Sequence, residues 1–497
     1  MLRYIIEQTE RFIEAIPKTS RKKIGQFFTY YETAEFMASL FDLSGLGSEI
    51  SILDPGAGTG ILSAALIQKL QETKKFSHIR LTCFENDTKV IPVLKSNLEY
   101  IKKNINASFD FIIHEDNYIL NQSADFNYGL YSNANAEKYD LIISNPPYLK
   151  IPKNSPESLA MDNVVHGAPN MYFLFAAMSL FNLKDNCEMV YIMPRSWTSG
   201  QYFKVFREYI FKHGQIKHIH LFESRSKVFR QEQVLQETAI IKIKKCTEKS
   251  NISITSSSAG KDFSSLSKIS MPYASIVSGE ELYVLLPTNS NDLEIMRRIN
   301  VYKQTMPEIG FRMRTGIIVD FRQYDNLRKN ADKNNVPLFY SQHIKNGRVN
   351  HLPSGKEFDW VSDENPGIIQ ENKNYVFCKR FTAKEEKRRL QCGIYLSSDF
   401  PEYEKIGTQN KINFVEREDG KSLTVYETYG IYALLNSSLF DSYYRILNGS
   451  TQVNSTEINS IPVPPIKTIT DIGKMLIDSE NLSTENCDKI LRETAYG

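Results

Sequence analysis

One unit repeats through the first half of the chain, and it leaves few folds open: a short apolar run, a polar turn, then an amphipathic stretch. Strands are predicted at Ile50–Leu53, Ile79–Phe84, Phe109–Ile113, Tyr139–Ile143, Met189–Met193, His218–Phe222 and Glu237–Ile243. Several are continuous β-branched runs, which suit strands covered on both faces of a parallel sheet. Helical patterns fill the gaps at Leu62–Leu70, Val90–Lys102 and Met171–Asn182. The alternation predicts a doubly wound α/β domain whose ligands bind at the carboxyl ends of its strands.

At 497 residues the chain exceeds one ordinary domain. After Ile243 the periodicity gives way to a Ser- and Lys-rich stretch, and from about Leu286 short apolar runs alternate with basic and Gly/Asn-rich turns. The predicted organisation is therefore an α/β domain over 1–245, a Ser-rich connection over 246–285 and a second, mixed α/β domain over 286–497. Tyr429–Leu447 reads as a helix. A formal net charge of +2 excludes bulk attraction to a polyanion, so any nucleic-acid surface must be a local patch. The N-terminus interleaves apolar residues with Glu, Arg and Lys. It lacks a signal-peptide core, and no later stretch is apolar enough to span a membrane. Six scattered cysteines without C-x-x-C spacing fit a reducing compartment and no structural zinc. The expectation is a cytoplasmic protein.

Unusual residues gather where strands are predicted to end. Asp54-Pro55-Gly56-Ala57-Gly58-Thr59-Gly60 follows the first strand and opens a helix. Its glycines let the backbone turn tightly and approach a ligand. The leading acid suits a ligand bearing an ammonium or sulfonium, such as S-adenosylmethionine, better than a pyrophosphate. Glu85 ends the second strand, where a carboxylate can accept both hydroxyls of a ribose. Asp116 follows the third and could accept from an adenine amino group, although either acid could equally be a helix cap. Ser144-Asn145-Pro146-Pro147-Tyr148 ends the fourth. Two prolines stiffen the turn and leave the Pro146 carbonyl as an acceptor. With the Asn145 side-chain oxygen it can grip both hydrogens of an exocyclic amine. Such an amine is a poor nucleophile until its lone pair is localised on nitrogen, and Tyr148 can stack on the ring that carries it. Gly25-Gln26-Phe27-Phe28-Thr29 precedes the first strand and could close over an adenosine.

Taken in order, GQFFT, DPGAGTG, FEND, HEDN and NPPY resemble the motifs of gamma-class N6-adenine DNA methyltransferases. Stretches such as VFRQEQVLQETAII, CKRFTAKEEKRRL and NGSTQVNSTEINSIPVPP look more narrowly like the PstI/BsuBI-type enzymes of bacterial restriction–modification systems. The resemblance implies a Rossmann-like S-adenosylmethionine-dependent methyltransferase fold followed by a C-terminal target-recognition domain. It implies S-adenosylmethionine as cofactor, double-stranded DNA as substrate and a partner endonuclease. It assigns Gly25 and Thr29 to a cofactor lid, Asp54, Gly56 and Gly58 to the methionine-binding loop, Glu85 to the ribose and Asp116 to the cofactor adenine. Asn145, Pro146 and Tyr148 become the catalytic set, and Phe229 stacks with Tyr148 on a flipped adenine, in a site that the likeness suggests is CTGCAG. Two positions depart from the pattern: Tyr30 stands where a proline often follows the lid threonine, and Asn117 where an apolar residue is usual.

The implied chemistry is direct methyl transfer to a flipped-out base. No covalent intermediate is needed, in keeping with the lack of a Pro-Cys nucleophile motif. In the C-terminal half, Arg312-Met313-Arg314, Lys379-Arg380 and Lys384 through Arg389 are candidate phosphate contacts, and Gln452 and Asn454 candidate readers. Because NPPY serves several amino and amide nitrogens, RNA or protein glutamine remains a rival substrate. A non-catalytic DNA-binding subunit is the rival of a different class.

Overall fold

The computed structural model describes residues 1–15, 29–128, 137–222, 237–257, 263–383, 385–448 and 450–497. The chain divides into two compact units, Met1–Asn289 and Ser290–Gly497.

In the first unit every predicted strand is present. The strands are β1 (Glu49–Pro55), β2 (His78–Phe84), β3 (Ser108–His114), β4 (Tyr139–Ser144), β5 (Leu183–Pro194), β6 (Gln215–Phe222) and β7 (Thr238–Lys244). Two more, β8 (Ile252–Ser257) and β9 (Ser267–Met271), complete a nine-stranded sheet of order β3-β2-β1-β4-β5-β7-β6-β8-β9. Pairing is parallel from β3 to β5, and β7 runs antiparallel to both its neighbours. The helices that matter for the site are α1 (Leu2–Ala15), α2 (Tyr31–Ser39), α3 (Ile61–Thr73), α4 (Ile91–Asn104), α5 (Tyr118–Tyr128) and α6 (Met171–Asn182).

Strand periodicity sorts side chains into two cores, as alternate Cβ atoms point to opposite faces. Leu141, Ile143, Val190 and Ile192 pack with α1 to α4, whereas Ile142, Met189, Tyr191 and Met193 pack with α6. Strand order reverses between β1 and β4, which opens the crevice where such sheets bind ligands.

The expected connection over 246–285 is corrected here, because it belongs to the first unit. β8 pairs in parallel with β6, and β9 pairs antiparallel with β8. Two hydroxyls of β8 face polar partners: His218 and His220 both hydrogen-bond Thr255 Oγ1 at 2.8 Å, and His220 Nε2 lies 3.0 Å from Ser257 Oγ.

The second unit combines two sheets with helices. One sheet has six strands, built around Tyr375–Lys379 and Ile412–Arg417, and the other five, around Asn335–Phe339. The predicted helix over Tyr429–Leu447 is two helices, Val425–Asn436 and Ser438–Leu447. Ser437 leaves the helical region and its hydroxyl accepts from Phe440 N, capping the second.

Candidate active site

At the switch point, the last residue but one of β1 is Asp54, which is 1% exposed. Ser63, one turn into α3, donates its hydroxyl to Asp54 Oδ2 at 2.6 Å. Asp54 Oδ1 is buried and has no hydrogen-bond partner among the described residues. Burial pushes the carboxyl up to about 7, against the lowering influence of Ser63. A buried acceptor without a partner is costly unless a ligand completes it.

The glycine turn is tied to β2. Gly56 N and Ala57 N both donate to Phe84 O at 2.9 Å, and Gly58 N donates to Glu85 Oε2 at 2.9 Å. Glu85 Oε1 accepts from Asp87 N, also at 2.9 Å, so one buried carboxylate clasps the two loops. Burial raises its pKa, and these backbone donors lower it in part. Gly58 has φ +56, and a Cβ built there meets nothing within 4 Å among the described residues. Behind it, Thr9 Oγ1 lies 2.7 Å from Thr59 Oγ1, and Asn97 donates to Thr59 O at 2.8 Å. The first helix and α4 thus buttress the turn.

Ser144, the last residue of β4, donates to Pro55 O at 2.6 Å and locks the two strand ends together. Asn145 Nδ2 donates to Thr29 Oγ1 at 3.2 Å. Tyr148 donates to Ile192 O at 3.1 Å, and its ring stands edge-on to Tyr172. Burial raises the Tyr148 hydroxyl far above its usual range, so it stays protonated. Pro146 is buried beside them.

Asp54, Gly56, Gly58 and Glu85 thus form one cluster, and Thr29 joins Asn145 in another at the adjoining strand end. Asp116 lies exposed beyond β3, where it accepts from Asn121 at 3.3 Å. Gly25 and Phe229 lie outside the described residues. Both departures from the motif pattern have local reasons. Tyr30 precedes α2 with φ −67, a value a proline would also hold, and is buried. Asn117 Oδ1 accepts from Leu120 N at the start of α5, while its Nδ2 reaches Glu157 Oε1 at 2.8 Å. The supporting residues Thr9, Ser63 and Asn97 escaped sequence reading, and Thr59 and Ser144 stood there only as members of their motifs. A small hydroxyl residue carries no signal until its partner strand is known.

The basic clusters of the second unit are largely engaged within it. Arg312 pairs with Glu418 and Arg314 with Glu416 across neighbouring strands. Arg389, expected as a phosphate contact, is wholly buried. Its guanidinium donates to Thr382 Oγ1, Asn448 Oδ1 and Ser450 O at 3.1, 3.2 and 3.0 Å. Asn454 donates to Glu457 Oε1 at 2.9 Å, and Arg380 donates to Gln452 Oε1 at 3.5 Å. Lys387 remains exposed.

A Rossmann-like sheet with a reversed strand, built around an acid-led glycine turn and a stiff Asn-Pro-Pro-Tyr corner, is a methyltransferase architecture. The model of the Eco57I restriction-modification methylase family matches residues 65–229. Two relatives extend the likeness over nearly the whole chain. The type II methyltransferase M.BsuBI of Bacillus subtilis is 32% identical, covering 95% of this chain and 94% of that protein. M.PstI of Providencia stuartii is likewise 32% identical, covering 96% and 94%. The chain belongs to the type II methyltransferases of restriction–modification systems and is a DNA methyltransferase. Among solved structures, the type IIL restriction-modification enzyme MmeI in complex with DNA shares the fold. Its TM-score is 0.51 at 11% identity, over 90% of this chain and 70% of that one.

Proposed function

We propose that the protein transfers a methyl group from S-adenosylmethionine to the N6 of an adenine flipped out of duplex DNA, within CTGCAG, and so protects that site from a partner endonuclease. The observation that carries the cofactor reading is the buried Asp54 Oδ1, which has no hydrogen-bond partner among the described residues, beside the turn of Gly56 and Gly58. A cationic methionine moiety is the ligand that such a pair would hold. S-adenosylmethionine, when bound, supplies the electrophilic methyl. In this reading Asp54 would face its positive charge, and Glu85 would take the ribose hydroxyls.

Asn145 and the Pro146 carbonyl supply the two acceptors for the target amine. Their grip favours a pyramidal nitrogen with a localised lone pair, so it strengthens toward the transition state. Tyr148, its ring held through Ile192 O, offers the stacking face. Residues 290–497 are read as the target-recognition unit, with Phe229 as a second ring on the base.

The test is single-turnover methyl transfer to a CTGCAG duplex by wild type and Asn145→Ala, with cofactor and DNA binding measured alongside. Loss of one transition-state acceptor is expected to slow transfer by about 10²–10³ while binding persists. Transfer within a few-fold of wild type would remove Asn145 from the chemistry. Methyl on cytosine, or on adenines outside CTGCAG, would overturn the specificity.

A further inference from the structure

We infer that Phe381 is an apolar wedge that enters the base stack of bound duplex DNA, in a patch that also holds Arg380, Lys411 and Gln452. This rests on the reading of residues 290–497 as the target-recognition unit. A single exposed apolar side chain is ordinary on a protein surface. Phe381 stands apart in what surrounds it. The ring is 47% exposed, yet its backbone bridges that of Gln452 in antiparallel fashion. The next side chain, Thr382, is buried and donates its hydroxyl to Arg389 O at 2.9 Å. On the other side Arg380 N donates to Lys411 O at 2.9 Å, and Val453 N donates to Arg380 O at 2.7 Å. Three segments far apart in sequence thus hold one half-exposed ring at a fixed place.

The polar groups beside the ring are of the types that DNA recognition uses. The Arg380 guanidinium lies 5.7 Å from the Phe381 ring centroid, donates to Asn410 O at 3.0 Å and reaches Gln452 Oε1 at 3.5 Å. Lys411 is exposed. Glu386, an acid of the following loop, is turned into that loop, where it accepts from Ala383 N at 2.6 Å. Charges suited to phosphate, an amide suited to a base edge and an apolar ring are combined at one place. Phe321 is more exposed, at 79%, but stands on a turn whose hydrogen bonds close among residues 319–323. A wedge must work against base stacking, so the ring braced by three segments is the one fitted to it.

The full chain is measured on a CTGCAG duplex labelled at both ends, with affinity read from anisotropy and bend from energy transfer between the labels. Wild type is expected to bend the duplex by about 20° or more. Phe381→Ala should lose most of that bend and bind roughly tenfold more weakly, the worth of one stacked ring. Its affinity should keep the salt dependence of wild type, because no charge has been removed. Phe381→Leu retains an apolar wedge and is expected to bind within about threefold of wild type. The melting temperature and S-adenosylmethionine affinity of both variants should match those of wild type, since the ring is half in water. Phe381→Ala with wild-type affinity and bend would overturn the wedge. So would a Leu variant as weak as Ala, a flattened salt dependence or a lowered melting temperature. Wild type that does not bind the duplex would instead overturn the reading of residues 290–497 beneath it, so the two failures are told apart.

Discussion

Asp54 concentrates the electrostatics of the site in one carboxyl. Its folded pKa of about 7 stands above the ordinary value of 3.8 because burial penalises the charge. A group raised in this way contributes stability at pH below its unfolded value. That contribution is lost as pH rises toward 7, so the ligand-free protein pays for the ionised form near neutrality. A ligand whose positive group faces Asp54 reverses the preference. S-adenosylmethionine affinity is therefore expected to rise about fivefold between pH 6 and 7 as the carboxyl ionises. Asp54→Asn, which cannot ionise, should bind more weakly at pH 7 and show a flat profile over that interval. Calorimetric titrations of both proteins at the two pH values check this. A wild-type profile as flat as that of the variant would separate Asp54 from the ligand's charge.

At the scale of elements, Arg389 shows how a basic run can serve the fold. Its guanidinium gathers Thr382, Asn448 and Ser450, while its own N–H and that of Leu390 both donate to Asp441 Oδ1 at 2.7 Å. Asn448 also donates to the buried Glu457, which takes the Tyr444 hydroxyl at 2.9 Å. Removing the cation leaves a buried acid with less to balance it. Arg389→Met is thus expected to lower the stability of the second unit by about 3–5 kcal/mol, read from denaturant unfolding. Exposed Lys387→Gln should leave stability unchanged and only flatten the salt dependence of duplex binding. The opposite pattern would make Arg389 a phosphate contact after all. The sequence could not reveal this, since KRR reads alike on a solvated face and in a buried network. β4 and β5 were legible because strands covered on both faces are written as apolar runs, here Leu141–Ile143 and Met189–Met193. β8 was not, because in ISITSS Thr255 and Ser257 bury their hydroxyls against His218 and His220, a pairing visible only once the sheet exists. The site divides in the same way. Glycines, prolines and acids at strand ends announce themselves, whereas the hydroxyls of Thr29 and Ser144 acquire meaning from partners far along the chain.

The whole molecule is two units, each with its own cores. The nine-stranded sheet is covered on both faces within Met1–Asn289, and separate clusters around Phe339 and Ile318 close the sheets of Ser290–Gly497. Domains that bury their apolar surface internally can melt separately. The full chain is therefore expected to unfold in more than one calorimetric transition. Asp54, Glu85 and the glycine turn all lie in the first unit, so S-adenosylmethionine should act on that transition alone. At about 100 times its Kd a ligand adds about 2.7 kcal/mol to the state that binds it, worth several degrees in the transition it touches. Arg389→Met should move the other transition down and leave the ligand-sensitive one in place. Scanning calorimetry of wild type and variant, with and without S-adenosylmethionine, reads both effects in one experiment. A ligand shift confined to the transition that Arg389→Met lowers would place the cofactor in the wrong unit. A single transition displaced by both would show that the units lose their structure together, and that residues 290–497 share the energetics of the catalytic sheet.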